Sequence, residues 1–531
     1  MTALFSDDKI EAGKNMRTVT VYFSVLFILT EYLWSGTERE NFALAVEYMV
    51  PGLAEVYART GVKWAKAMGQ GFSWADIEPS APVKGKHSYR WDFTDRLILE
   101  YQKAGFQNFH IYVKSMSPWA STKPVKLIGH GSSPLKPEHI EDYKAFLTAL
   151  VQRYNLHHPD HVPGLLYSVE YWEIESEWGT GFWQGTVSEY LNLLRIAYST
   201  VKKANPEAKV ILIGFFLAGL FEGHPDLQEI PLTLSKMPAK RRKITVQYLT
   251  EMKELLAHPE IFDVVEFHSL SDWSEIPGMI RFLRQTMKEY NYEKPIWVGD
   301  VNYTASPLVF WGNPVPPYRE EQKPAIQETL KALAEEKHPR RKEVITWFRA
   351  EQAKGLVKKA VLAMAEGARG INLGNLKDEP MFALAPGLAG TVAFQGLIDT
   401  EGIPARPGKE RPAYRALTLL VEKLGHFSSV KSLASGTGIY SYEFTREGNN
   451  KVYVFWYDDG KRYLPGDKQP EKEVSLVLPG GSYLLTEIPT GEKTVFARTI
   501  FLSSSGIKIK LSTTPVFLEP ESRKMSCPGE N

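Results

Sequence analysis

The chain has 531 residues, with 63 Lys and Arg against 62 Asp and Glu, so its formal net charge is +1. That balance argues against a protein whose main partner is nucleic acid, because phosphate binding is driven by basic surface. A hydrophobic share of 43% with 24% charged residues is ordinary globular composition, and the single cysteine, Cys527, excludes an intramolecular disulfide and a cysteine-based zinc site.

Lys14 and Arg17 precede an apolar run over residues 19–29, which small and polar residues follow up to Gly36. This is the order of a secretory signal, and it predicts residues 1–36 as a signal peptide or membrane anchor of a secreted or periplasmic protein. The run falls short of the roughly 20 residues of a spanning helix. A buried strand or helix is the alternative. Between 37 and 426, eight strand-like runs cover 42–48, 62–67, 109–113, 167–174, 210–214, 262–268, 295–298 and 370–373. Helical periodicity separates them, most clearly over 139–154, 187–203, 245–256, 277–290 and 342–366, with a last helix over 413–424. Eight such units predict an α/β fold, a (β/α)8 TIM barrel. An open doubly wound sheet would carry a Gly-rich phosphate loop after its first strand, and none is present. From 427 to 521 the runs are short, alternating and punctuated by turns, which predicts a C-terminal antiparallel β-sandwich. Residues 522–531 form a polar tail.

A βα barrel builds its active site at the C-terminal ends of its strands. The fourth run ends Tyr171-Trp172-Glu173-Ile174-Glu175-Ser176-Glu177-Trp178. Period-two geometry puts Glu173, Glu175 and Glu177 on one face and Trp172 and Ile174 on the other. If the apolar face meets the helices, the carboxylates face the lumen or its mouth. Their mutual repulsion then raises at least one pKa, as a general acid requires. A solvated acidic strand end is the alternative. The seventh run, Ile296-Trp297-Val298-Gly299-Asp300, ends on an acid that suits catalysis and a turn equally. His268 closes the sixth run, where a positioning role is expected. Trp74, Trp119, Trp178, Trp183, Trp273, Tyr303 and Trp311 lie near strand ends as sugar platforms or as core, and Trp119 and Trp178 adjoin those ends most closely. The segment 302–341 is long for a βα loop and reads as a binding wall. His157, His158 and His161 precede the fourth run, at the opposite end of the barrel, so no metal site is expected there.

Several motifs follow one another on successive strands: Gly61-Val62-Lys63-Trp64, Trp74-Ala75-Asp76-Ile77-Glu78-Pro79, Tyr89-Arg90-Trp91-Asp92 and Ser117-Pro118-Trp119-Ala120. Trp172 to Glu177, Phe182-Trp183-Gln184-Gly185-Thr186, the run into His268 and the run into Asp300 continue the series. In this order they resemble the clan A glycoside hydrolases, near the β-xylosidases, α-L-iduronidases and cellulase-like enzymes, over about residues 42–520. The resemblance implies a cofactor-free retaining glycosidase acting on β-type bonds of an oligosaccharide or glycoside. The clan's Asn-Glu pair is Ser176-Glu177 here, so Glu177 inherits the acid/base role and Ser176 the contact to a sugar hydroxyl, with shorter reach. The nucleophile's position is held by Asp300 in place of Glu. The Arg late on the second strand is Lys66, which lacks the bidentate fork. Lys66, Trp119, Glu175, Ser176, Trp178, His268 and Tyr303 are the implied substrate contacts. Asp is one methylene shorter than Glu, which leaves three outcomes. The backbone adjusts and Asp300 attacks, or Asp300 activates a water with inversion, or the site binds sugar without cleaving it. Glu175 and Glu266 are reserve candidates for the second carboxylate, and a transglycosylase would use the same residues.

Overall fold

In the structure, a computed structural model, the described residues are 42–67, 71–124, 131–216, 220–221, 226–301, 309–310, 313–314, 320–378, 394–401, 406–433, 436–491, 496–502 and 507–521. The expected signal or anchor, the tail 522–531, Tyr303 and Trp311 lie outside them. No helix among the described residues is long and apolar enough to cross a membrane.

The eight expected strands are all present: β1 (Ala43–Val46), β2 (Trp64–Ala67), β3 (Asn108–Val113), β4 (Tyr171–Ile174), β5 (Lys209–Ile211), β6 (Val265–Ser269), β7 (Ile296–Val301) and β8 (Gly370–Leu373). They form one parallel sheet in the order β5-β4-β3-β2-β1-β8-β7-β6. Parallel bridges Ile211–Val264 and Phe215–Phe267 join its two edges and close the barrel. The surrounding helices include α1 (Asp92–Lys103), α2 (Ile140–Arg153), α3 (Val187–Ala204), α4 (Ala239–Leu256), α5 (Glu275–Glu289), α6 (Lys323–Ala334), α7 (Arg341–Ala365) and α8 (Pro412–Leu424). Helix α6 corrects the expectation of one long loop over 302–341. Helix α3 starts at a capping box in which Thr186 and Glu189 satisfy each other's backbone N–H groups.

The strands alternate as their period requires. Trp172 and Ile174 face the helix layer, while Ala43, Ala45, Trp64, Tyr171, Ile211, Val264 and Trp297 fill the base of the lumen. Each large apolar side chain buried this way contributes about 1.5–3 kcal/mol. Gly370 makes room for the plug: a Cβ there would stand 2.8 Å from the Ala43 Cβ and 2.9 Å from the Trp297 ring.

The C-terminal strands are β9 (Phe427–Ser432), β10 (Ile439–Arg446), β11 (Lys451–Tyr457), β12 (Glu471–Leu476), β13 (Gly481–Glu487), β14 (Phe496–Leu502), β15 (Ile507–Ser512) and β16 (Val516–Pro520). Six form an antiparallel sheet in the order β9-β10-β11-β16-β13-β14, and β12 pairs with β15 as a separate ribbon. Strand β11 is buried on both faces. Tyr453 and Phe455 meet Leu476, Ile509 and Leu511 of the ribbon, completing a sandwich. Val452, Val454 and Trp456 join the barrel's own core. Trp273, on the loop after β6, packs edge-on to Tyr440 and Trp456 at 5.2 and 6.1 Å.

Gly299 is the most tightly enclosed of the described glycines, since a Cβ there would lie 1.5 Å from Glu266 Oε1. Gly299→Ala is expected to destabilise the fold by about 2 kcal/mol or more, as overpacking against a buried ion pair does. Gly491→Ala, which meets nothing within 4 Å, should stay within about 0.5 kcal/mol. Urea midpoints for the pair measure the contrast, and equal midpoints would remove the constraint.

Candidate active site

Above its apolar base the lumen turns polar. Continuing each strand by two residues leads from Trp64 to Lys66, from Tyr171 to Glu173, from Val264 to Glu266 and from Gly370 to Asn372. Lys66 Nζ lies 3.1 Å from both Glu173 Oε2 and Glu266 Oε1, 3.7 Å from Glu47 and 3.9 Å from Asp300 Oδ1. His110 Nε2 sits 3.0 Å from Glu173 Oε2 and 3.5 Å from Glu266 Oε2. Its other ring nitrogen faces Asn372 at 3.3 Å, and Asn372 in turn accepts from Trp297 Nε1 at 2.8 Å. This chain ties the ionic layer to the apolar plug below it.

The mouth stands directly above. Asp300 is the extra residue of a bulge against both neighbouring strands. His268 and Ser269 pair with Gly299 and Val301, skipping Asp300, and the register to β8 shifts at the same place. Its φ of +23° is one of six positive values among the described non-glycine residues, and Tyr48 (+55°) and Glu175 (+64°) are two more. Half of that backbone strain therefore gathers at the barrel mouth, where strain is commonly stored for function. A bulge re-aims a side chain. The Tyr48 hydroxyl donates toward both Asp300 oxygens at 3.1 Å. His268 Nδ1 stands 2.9 Å from Glu177 Oε1 and 3.7 Å from Asp300 Oδ2. The facing oxygens of Glu177 and Asp300 and the His268 nitrogen all lie within 4.8 Å of one another.

Burial alone would raise the Asp300 carboxyl, but Lys66, Glu47, His268 and Tyr48 together hold it well below the usual carboxylate range. Glu266 shows the same contest, with burial opposed by Lys66, His110 and His268, and ends lowered to about 2. Burial disfavours the His268 imidazolium, yet Asp300, Glu177 and Glu266 raise its pKa well above the ordinary value. Lys66 is likewise held charged by the acids around it, against its own burial. Glu47 goes the other way, because burial and the Asp300 charge push its carboxyl well up.

The sequence-derived residues separate into groups. Glu177, Asp300 and His268 meet at the mouth. Lys66 lies beneath them, 2% exposed and bound to carboxylates, so it acts on Asp300 rather than on an open pocket. Glu175 turns aside: its Oε1 accepts from the Ser115 backbone N–H and hydroxyl at 2.7 and 2.6 Å, which braces the loop after β3. Burial raises its carboxyl. Ser176 is buried next to it. Trp178 is corrected as a sugar platform, since its ring is 4% exposed, packs on Tyr190 and donates to Glu251 at 2.9 Å. Trp74, Trp183 and Trp273 are buried as well. Trp119 keeps a partly exposed ring, pinned by its N–H to the Glu78 carbonyl at 3.1 Å and by Trp74. Tyr48, Glu47 and His110 were not singled out from sequence. The first two follow β1 directly, at the end of the run over 42–48, and that position was the available signal.

Two groups of side chains have the spacing of cation ligands, His110 with Glu173 and Glu266, and Glu177 with His268 and Asp300. In the first, the Lys66 ammonium already supplies the positive charge. In the second, the His268 nitrogen nearest the acids stands 2.9 Å from Glu177 Oε1, a contact that serves a hydrogen bond between them without an ion.

No family model and no curated protein matches this sequence. Among solved structures, the chain is similar to the bacterial orthologue of human α-L-iduronidase, with a TM-score of 0.50 at 10% identity over 91% of this chain and 82% of that one. A glucosidase from Croceicoccus marinus aligns with a TM-score of 0.49 at 11% identity, over 91% and 96% of the two chains. A GH51 arabinofuranosidase from Xanthomonas axonopodis pv. citri gives 0.49 at 11% identity, over 91% and 97%. At such identities the likeness is one of fold.

The raised His268 pKa ties stability to pH. An imidazole that binds its proton more tightly when folded contributes fully below its unfolded pKa of about 6.5, and that contribution is lost as pH rises toward the folded value. Glu266 and Asp300, lowered on folding, contribute above about 4 and lose their part as pH falls toward 2. Between pH 5.5 and 9, wild type should therefore lose about 1 kcal/mol or more of unfolding free energy beyond the loss in His268→Gln. Equal losses in urea titrations would contradict the imidazolium.

Proposed function

We propose that the protein is a glycoside hydrolase that cleaves β-type bonds of an oligosaccharide or glycoside by retaining double displacement. The observation that carries this reading is the Glu177–Asp300 pair, whose facing oxygens lie within 4.8 Å at the C-terminal mouth of the barrel. Retaining enzymes keep their carboxyl groups about 5–5.5 Å apart, whereas inversion leaves room for a water at about 6.5–9.5 Å. The spacing supports the first arrangement. It also favours catalysis over a site that only binds sugar, which has no need to hold two acids so close. The fold shared with the iduronidase orthologue is compatible with this reading, and the motif resemblance in the sequence points the same way.

In the first step an Asp300 oxygen attacks the anomeric carbon while Glu177 protonates the departing glycosidic oxygen. The bond to the leaving group breaks, and the sugar is held as an ester of Asp300. Glu177, now a carboxylate, takes a proton from water. The hydroxide attacks the same carbon from the opposite face and releases Asp300, so two inversions give net retention. Lys66, Tyr48 and His268 keep Asp300 ionised between turnovers. The bulge addresses the missing methylene, because it moves the backbone where a longer side chain would otherwise reach. Export directed by residues 1–36 belongs to the same proposal.

A panel of aryl β-glycosides tests the assignment. Wild type should turn over at least one member, and Glu177→Gln and Asp300→Asn should each lower kcat by about 100-fold or more. Azide should restore Asp300→Asn with inversion at the anomeric carbon. No turnover of any member, combined with Trp fluorescence quenching by oligosaccharides, would replace the enzyme with a carbohydrate-binding protein.

A further inference from the structure

Behind the mouth lies a second buried polar cluster that touches neither reacting carboxylate. It begins at Ser269, the residue after His268. Lys359, in the middle of α7, donates to the Ser269 carbonyl at 2.7 Å, to the Ser269 hydroxyl at 2.8 Å and to the Ser271 carbonyl at 2.8 Å. The Ser269 hydroxyl donates to Glu275 Oε1 at 2.7 Å, and the same oxygen accepts from the Ser271 backbone N–H at 3.1 Å. One hydroxyl thus bridges an ammonium and a carboxylate, with Lys359, Ser269 and Ser271 fully enclosed and Glu275 4% exposed. Glu275 opens α5, where a negative charge also suits the helix dipole. Burial pushes its carboxyl up to about 7 although Lys359 pulls it down. Isolated charges at such a depth are strongly unfavourable, so the cluster holds only as a complete chain.

Its output is the end of β6. The His268 ring is fitted there on one side, where a Cβ on Gly214 would come within 2.3 Å of Nε2, and its backbone N–H donates to the Phe215 carbonyl at 2.7 Å. On the other side the strand leaves its regular register between His268 and Ser269. The strand pairing to β7 is irregular at that step, so the backbone that carries the ring to Glu177 is held on that side by the contacts that grip Ser269. We propose that the Lys359–Ser269–Glu275 chain is the positioning device that sets the His268 ring between Glu177 and Asp300. Glu275 and Lys359 are then positioning residues of the site, although neither reaches the mouth. The inference rests on Glu177 and Asp300 as the reacting pair, but its geometry is tested without turnover.

The test uses the full chain, with Ser269→Ala, Glu275→Ala and Glu275→Gln confirmed as folded by urea unfolding. Gln keeps an oxygen that accepts from both Ser269 and Ser271, whereas Ala does not. Nitrogen-15 NMR of labelled histidines follows the titration of His268, assigned by its loss in His268→Gln. Ser269→Ala and Glu275→Ala should lower the His268 midpoint and reduce kcat on the best aryl glycoside by about 10- to 100-fold, with KM changed by less than about twofold. Glu275→Gln should restore most of both. An unmoved His268 titration in folded Ser269→Ala and Glu275→Ala overturns the proposal, whether or not kcat falls. So does a Gln variant as impaired as the Ala variant. Absence of turnover in wild type counts against the hydrolase reading alone, because the titration still reports the ring.

Discussion

A single ammonium group, Lys66, stands inside the barrel within 4 Å of four carboxyl side chains. Placing one charge in a protein interior costs several kcal/mol, and only close partners offset it. The sequence supplies those partners from four strands: Glu47 just after β1, Glu173 from β4 and Glu266 from β6, with Asp300 of β7 at the mouth above them. The surrounding residues answer to that arrangement. Gly299 is a glycine because Glu266 fills the space its side chain would take. Asn372 and Trp297 link the ionic layer to the apolar plug. Lys66 holds the buried Asp300 carboxyl low, and Asp300, Glu177 and Glu266 raise the His268 imidazole.

The mouth trades backbone regularity for aim. Tyr48, Glu175 and Asp300 all adopt positive φ, and each diverts a side chain from the direction its strand would dictate. Tyr48 is brought to Asp300, Glu175 is sent to Ser115, and Asp300 is swung out of register at a bulge. Such residues are typically unfavourable by about 1–3 kcal/mol each, and persist where surrounding packing over-determines them. The plug beneath and the helix layer outside supply that packing. The bulge is what carries the Asp300 carboxyl to the Tyr48 hydroxyl and toward His268.

Much of this was legible in sequence for a simple reason. Barrel strands buried on both sides appear as short apolar runs between amphipathic helices, and all eight runs became strands. Trp172 and Ile174 correctly indicated the outer face of β4, and Glu177, His268 and Asp300 were found as polar residues at strand ends. The errors around β4 share one cause. Period two was carried past Ile174, where the strand stops, so Glu175 was assigned to the lumen and Trp178 to the rim. The positive φ at Glu175 breaks that alternation, and nothing in a Glu announces it. Tyr48 was hidden in the same way, and Glu47 looked like an ordinary strand end because its burial and its neighbour Asp300 come from parts of the chain more than 200 positions away. Helix α6 lay inside the segment 302–341, whose length read as one long loop. The Lys359 chain joins α7 to β6 and has no local signature at all.

The account turns on Asp300 forming a covalent bond to the sugar. Incubation with 2-deoxy-2-fluoro aryl β-glycosides, followed by proteolysis and mass mapping of the labelled peptide, observes that bond directly. The account predicts one glycosyl adduct per chain, on the Asp300 carboxyl, with loss of activity in step with labelling. An adduct on Glu47, Glu175 or Glu266, or steady turnover of ordinary substrates to inverted product with no adduct formed, would contradict it.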